Sequence, residues 1–88
     1  MFYTYVLWSS CLRKRYTGST GDVKKRLTEH NRGCNKFTKG GIPWVLVYTE
    51  EFSSKEEAIR REKFLKTGQG RKWLDETLPE FRKGAGVV

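Results

Sequence analysis

Five side chains in this 88-residue sequence are of types that could act together in one reaction, namely Tyr5, Tyr16, Arg26, His30 and Glu62. Hydrolysis of a phosphodiester needs a base for water and cations to offset charge on the pentavalent phosphate. It also needs a carboxylate to hold a metal that stabilises the leaving oxygen. Each role has a candidate in the set. Taken singly, each residue also has a plainer reading. Tyrosine is favoured in strands, and a lone histidine is commonly a partly buried structural residue. Arg26 suits a helix surface, and Glu62 would be satisfied by an ion pair with an arginine.

The elements around these residues decide whether they can meet. Phe2–Trp8 is aromatic and β-branched and apolar on both faces, the pattern of a central strand covered from both sides. A polar turn over 9–14 and the segment Arg15–Thr17 read as a hairpin returning as a second strand that Gly18 ends. Ser19 or Thr20 then caps a helix whose positive first turn suits Asp22 and which runs to about Asn31, before a stop at Gly33. At 100° per residue, Val23, Arg26, Leu27 and His30 share one side of it. Arg26 and His30 thus border the core-facing stripe, one turn apart.

Residues 32–43 form an irregular glycine-rich loop, and Trp44–Thr49 reads as a third strand, apolar on both faces and therefore interior or helix-covered. Ser53 with Glu56, or Ser54 with Glu57, offers a capping box to a second helix reaching about Lys66. Ala58, Ile59 and Leu65 form its apolar side, with Glu62 between them, pointing inward. Thr67–Gly70 breaks the helix, Arg71–Leu78 forms a short third one, and Pro79–Val88 is a loose tail. One domain over 1–78 followed by a tail over 79–88 is the expected organisation.

Eighteen Lys and Arg against ten Asp and Glu give a net charge of +8, which favours a polyanionic partner without naming it. Cys11 and Cys34, with a single histidine, cannot assemble a structural zinc site. The apolar runs are too short to span a bilayer, and no secretory signal is legible, so reduced thiols and a cytoplasmic location are expected. Lys24, Lys25, Lys36, Lys39, Arg60, Arg61, Arg71 and Lys72 read as a solvated basic surface, of which Lys24, Lys36, Lys39, Arg61 and Arg71 are candidates for tracking a phosphate backbone. Trp44 and Trp73 read as core, while Trp8 and Phe37 are the weaker candidates for stacking on bases.

The chain contains Tyr3-Thr4-Tyr5, Tyr16-Thr17-Gly18, the helix Asp22–Asn31 with Arg26 and His30, and Glu57-Ala58-Ile59-Arg60-Arg61-Glu62. In these motifs and their spacing it resembles the GIY-YIG nuclease domain over roughly residues 2–73, most of all the small stand-alone bacterial members. The resemblance implies an α+β fold, a three-stranded antiparallel sheet flanked by helices. It implies Tyr5 or Tyr16, Tyr5 first, as general base or water-positioning group, Arg26 as phosphate stabiliser, His30 as phosphate contact or proton relay, and Glu62 as ligand for Mg²⁺ or Mn²⁺. Tyr3 stands where glycine is usual and Thr17 where isoleucine is usual. Many members also use an asparagine downstream of the glutamate; here only Gln69 carries an amide after Glu62, and that role is left unassigned.

A metal-dependent endonuclease acting on DNA, structure-selective in repair or recombination, is the leading expectation. RNA is not excluded, and the want of an appended recognition domain leaves room for an unidentified protein partner. Two alternatives stay open: a nucleic-acid-binding module on the same fold with little or no cleavage, and a structural RNA-protein component.

Overall fold

The computed structural model describes residues 1–82. Strands β1 (Phe2–Ser9) and β2 (Lys14–Thr20) form a hairpin, and helix α1 (Val23–Asn31) and a 3₁₀ turn (Lys39–Gly41) lead to β3 (Trp44–Phe52). Helices α2 (Lys55–Leu65) and α3 (Gly68–Thr77) and a second 3₁₀ turn (Pro79–Phe81) follow. The sheet is antiparallel throughout, in the order β2-β1-β3, as the α+β expectation requires.

β1 is the spine because its side chains are apolar whichever way they point. On one face Tyr5 and Leu7 pack with Trp44, joined by Tyr16, Leu27 and Ile42. On the other Val6 packs with Leu65 and Leu74, joined by Val47, Tyr48, Trp73 and Leu78. A three-layer arrangement results, with α1 below the sheet and α2 and α3 above it. Thr4, buried on the upper face, donates to the Ala58 carbonyl at 2.7 Å and fixes α2 against the spine.

Several boundaries differ from the sequence reading, each for a physical reason. β2 does not end at Gly18 but continues to Thr20. Gly18 is the cross-strand partner of Tyr5, and a Cβ there would sit 2.6 Å from the Tyr5 hydroxyl oxygen. The glycine makes room for a ring rather than stopping a strand. Ser19 and Thr20 therefore stay in the sheet, and Asp22 itself caps α1, accepting from the Lys25 N–H at 3.0 Å. The Ser54/Glu57 option caps α2, with the serine oxygen accepting from the Glu57 N–H at 3.2 Å.

α3 starts at Gly68, three residues earlier than expected, capped by Thr67. Gly70 lies inside it because the first turn presses on the end of α2: a Cβ would come 2.1 Å from the Phe64 carbonyl oxygen. β3 is an edge strand, so the interior reading fails and the helix-covered one holds in part: Val47 and Tyr48 pack under helices, while Val45 and Leu46 are 49% and 40% exposed. Its pairing with β1 slips between Val6–Tyr48 and Leu7–Leu46, leaving Val47 as an extra residue that no alternation count reveals. Nor is the start of the expected tail loose. Phe81 lies against Trp8 with ring centroids 5.8 Å apart, so Trp8 is a core residue and not a stacking platform. The rest of that tail, 83–88, lies outside the described residues.

Candidate active site

Tyr5 and Tyr16 reach the α1 face from adjacent strands, and His30 rises from α1 to meet both. The Tyr5 hydroxyl is 3.1 Å from His30 Nε2, and the Tyr16 and His30 rings lie 4.8 Å apart. Tyr5 and His30 are fully buried, whereas Tyr16 is half-exposed. On its far side His30 Nδ1 is 2.8 Å from the Thr38 hydroxyl, which also lies 3.3 Å from the Asn35 carbonyl. That carbonyl only accepts, so Thr38 spends its single proton there and receives one from Nδ1–H. Nε2 is then the acceptor, and Tyr5 donates to it. The arrangement satisfying all three contacts is a directional chain from Tyr5 through His30 and Thr38 to Asn35.

Burial and, second, the Arg26 cation hold His30 below the usual imidazole range, so it rests neutral at pH 7. Burial, reinforced by Tyr16, pushes the Tyr5 phenol up to about 12, while Arg26 pulls the other way by hydrogen bonding and charge. Arg26 itself is half-exposed and paired with Glu29 at 3.0 Å, one turn along α1. It thus borders the tyrosine-histidine pair, engaging the Tyr5 hydroxyl as well as Glu29.

Glu62 arrives from the opposite layer, at the edge of β2. It does not point into the apolar core: its side chain is 20% exposed, and its partner is a lysine rather than an arginine. Oε1 accepts from Ser19 Oγ at 2.6 Å and Oε2 from Lys66 Nζ at 2.6 Å. Lys66 Nζ also stands 5.8 Å from the centre of the Tyr16 ring. Glu62 is close enough for its charge to oppose ionisation of Tyr5, so the carboxylate and the phenols share one field.

Among the described residues no three His, Cys, Asp or Glu side chains gather as a metal cage. One carboxylate with a neighbouring hydroxyl fits Mg²⁺ nonetheless, because that ion keeps several waters and takes further oxygens from phosphates. Lys66 would have to release Oε2 first. No multi-carboxylate site of the calcium type is present among the described residues.

The candidates for backbone tracking divide. Lys24, Lys36, Lys39 and Arg71 are exposed. Arg61 is engaged instead: it grips Glu50 with two contacts at 2.8 and 3.2 Å and lies over the rings of Trp73 and Phe64, on the β3 side of α2. Phe37 is 84% exposed, next to Thr38. Sequence reasoning missed Thr38, Ser19 and Lys66. Lys66 was legible as the i+4 neighbour of Glu62 on one helix; Thr38 and Ser19 carry no local signal.

The family model described as the GIY-YIG catalytic domain matches residues 1–74, and the chain belongs to that family, part of a nuclease superfamily. Its relatives are small UPF0213 proteins. One from Clostridium perfringens is 44% identical over 68 residues, covering 75% of this chain and 71% of the relative. One from Natronomonas pharaonis is 45% identical over 67 residues, covering 74% and 76%. Another from Halobacterium salinarum is 54% identical over 48 residues, 53% of this chain. The chain spans 62% of the length of the Halobacterium relative and 59% of one from Streptococcus agalactiae. No solved structure matches it. No helix among the described residues is long and apolar enough to cross a membrane, and Cys11 and Cys34 are free thiols.

Proposed function

We propose that the protein is a metal-dependent endonuclease that hydrolyses DNA phosphodiester bonds, with Mg²⁺ or Mn²⁺ held by Glu62. The observation that carries this reading is the hydrogen-bonded pair of Tyr5 and His30, aimed so that the phenol donates to a neutral imidazole. A phenol held at about 12 is a poor candidate for a resting phenolate. The pair offers a route that needs no resting phenolate. As Tyr5 takes a proton from water, its own proton moves to His30 Nε2, and the imidazolium keeps its Nδ1–H on Thr38. Tyr16, on the open side, positions the water, and Arg26 offsets charge on the phosphate. The ion, when bound, supplies Lewis-acid stabilisation of the leaving oxygen. Work on branched or damaged DNA in repair or recombination fits a domain of this size, whose specificity would come from DNA shape or from a protein partner.

The test is nicking of supercoiled plasmid and a panel of branched DNAs with Mg²⁺, Mn²⁺ or EDTA, beside Glu62→Gln. The expected outcome is metal-dependent cutting that falls by about 100-fold or more in the variant, with DNA binding by fluorescence anisotropy retained. Equal cutting by both proteins overturns Glu62 as the metal ligand, and no cutting by either leaves a nucleic-acid-binding module on this fold.

A further inference from the structure

A groove of about 420 Å³ opens along the outer edge of β2, where the α2–α3 turn comes down beside the sheet. Lys14 and Tyr16 form one wall and Lys66 and Arg71 the other, while Leu65 and Leu74 behind them are 1% exposed and belong to the core. It meets the tyrosine-histidine-glutamate cluster at two shared residues, since Tyr16 belongs to both and Lys66 holds Glu62.

Three features define what the groove accepts. First, its charge is positive: Lys66 is paired with Glu62, but two further cations are not. The nearby acid, Asp75, is taken up by Arg15 at 2.7 Å, and among the described residues neither Lys14 nor Arg71 makes an ion pair. Second, its back is rigid. Arg15, which lines it, also donates to the backbone carbonyls of Phe81 and Arg71, each at 3.4 Å, tying β2 to α3 and fixing where Arg71 leaves the helix. Third, β2 is an edge strand, with no strand on its outer side among the described residues. A cationic rim along an open sheet edge suits a ligand with an anionic phosphate. The volume lies within the roughly 300–1,000 Å³ of small-ligand sites.

We propose that this groove is a phosphate subsite: it takes the phosphate of the nucleotide next to the bond cut at Tyr16, with Lys14 and Arg71 as its cationic contacts. The assignment rests on reading the cluster as a phosphodiester-cleaving site.

The experiment uses the full chain in EDTA, so that nothing is cut. Thymidine 5′-monophosphate and a twelve-residue oligothymidylate are titrated and followed by amide chemical shifts and by anisotropy. Shifts are expected in 14–17 and 66–74. In Lys14→Gln/Arg71→Gln the mononucleotide shifts should vanish, and the oligonucleotide should bind about tenfold more weakly with a salt slope lower by about 1.4, at roughly 0.7 per single-strand phosphate contact. Lys25→Gln/Lys55→Gln, both exposed and outside the groove, removes the same charge and should leave the groove shifts in place. Both changed residues of the first pair are exposed, and unchanged shifts elsewhere verify its fold. Mononucleotide shifts confined to α1 and the 32–43 loop, or equal affinity and slope in the parent and the first pair, overturn the subsite. Absence of cutting in the plasmid assay overturns the nuclease reading instead, so the two failures are separable.

Discussion

A tyrosine and a histidine buried against each other share one electrostatic fate: the interior penalises the phenolate of Tyr5 and the imidazolium of His30 alike, so both rest uncharged. For Tyr5 the protonated form is favoured by folding. Its contribution to stability is therefore complete below the unfolded value near 10 and is lost as the pH rises through about 12, in total on the order of 3 kcal/mol. Tyr48, also pushed up to about 12, mainly by burial and then by Glu50, behaves alike, so the comparison belongs in a Tyr48→Phe background. There, melting temperature from pH 9 to 11.5 should fall less steeply after Tyr5→Phe; identical slopes would show that the phenol ionises as readily folded as unfolded. His30 works in the other direction, its contribution present above about 6.5 and lost as the pH falls through its lowered value. At this scale the sequence revealed the reactive types and their spacing but not their partners. Nothing near Thr38 announces that its hydroxyl orients an imidazole eight residues away, and the inward direction read for Glu62 from helical period missed that α2 overhangs the edge of β2.

Among the elements, the join between α1 and β3 depends on one amide. Asn31, at the end of α1, accepts from the Trp44 N–H at 2.6 Å and donates to the Trp44 carbonyl at 2.9 Å, occupying both backbone groups as a neighbouring strand would. Asn31→Ala strands two partly buried backbone groups and should destabilise the protein by about 1–3 kcal/mol, read from urea unfolding. A loss below about 0.5 kcal/mol would mean that water replaces the amide at little cost. Element types were readable because their signals are local. The hairpin, the capped helices and the aromatic spine each follow from a few adjacent residues, as Ser54 before Glu57 illustrates. The misread boundaries have non-local causes. Gly18 and Gly70 look like breakers until the Tyr5 ring and the end of α2 are placed beside them, and β3 looked interior because an extra residue at Val47 disguises which apolar side chains are covered.

Across the whole molecule, the upper layer is closed by contacts between the two ends of the described chain. Arg15 binds Asp75 sixty residues away, and Phe81 covers Trp8. Such pairings involve no periodicity, which is why the segment from Pro79 looked dispensable in the sequence. Phe81 is only half-buried, so Phe81→Ala should cost about 1–2 kcal/mol, below the ~3–5 typical of a fully buried aromatic, with Trp8 fluorescence shifting to longer wavelength. An unchanged emission maximum and an unchanged melting temperature would return Pro79–Phe81 to the tail.

The gap left by Gly18 matters beyond strand pairing. The Tyr5 ring fills it only in the folded sheet, and the same placement brings the hydroxyl to His30. The conformational entropy of aligning the proton donor with its acceptor is thus expended during folding, before any phosphodiester arrives. On the proposed nuclease reading, what remains to be organised is the incoming strand itself and the release of Glu62 by Lys66.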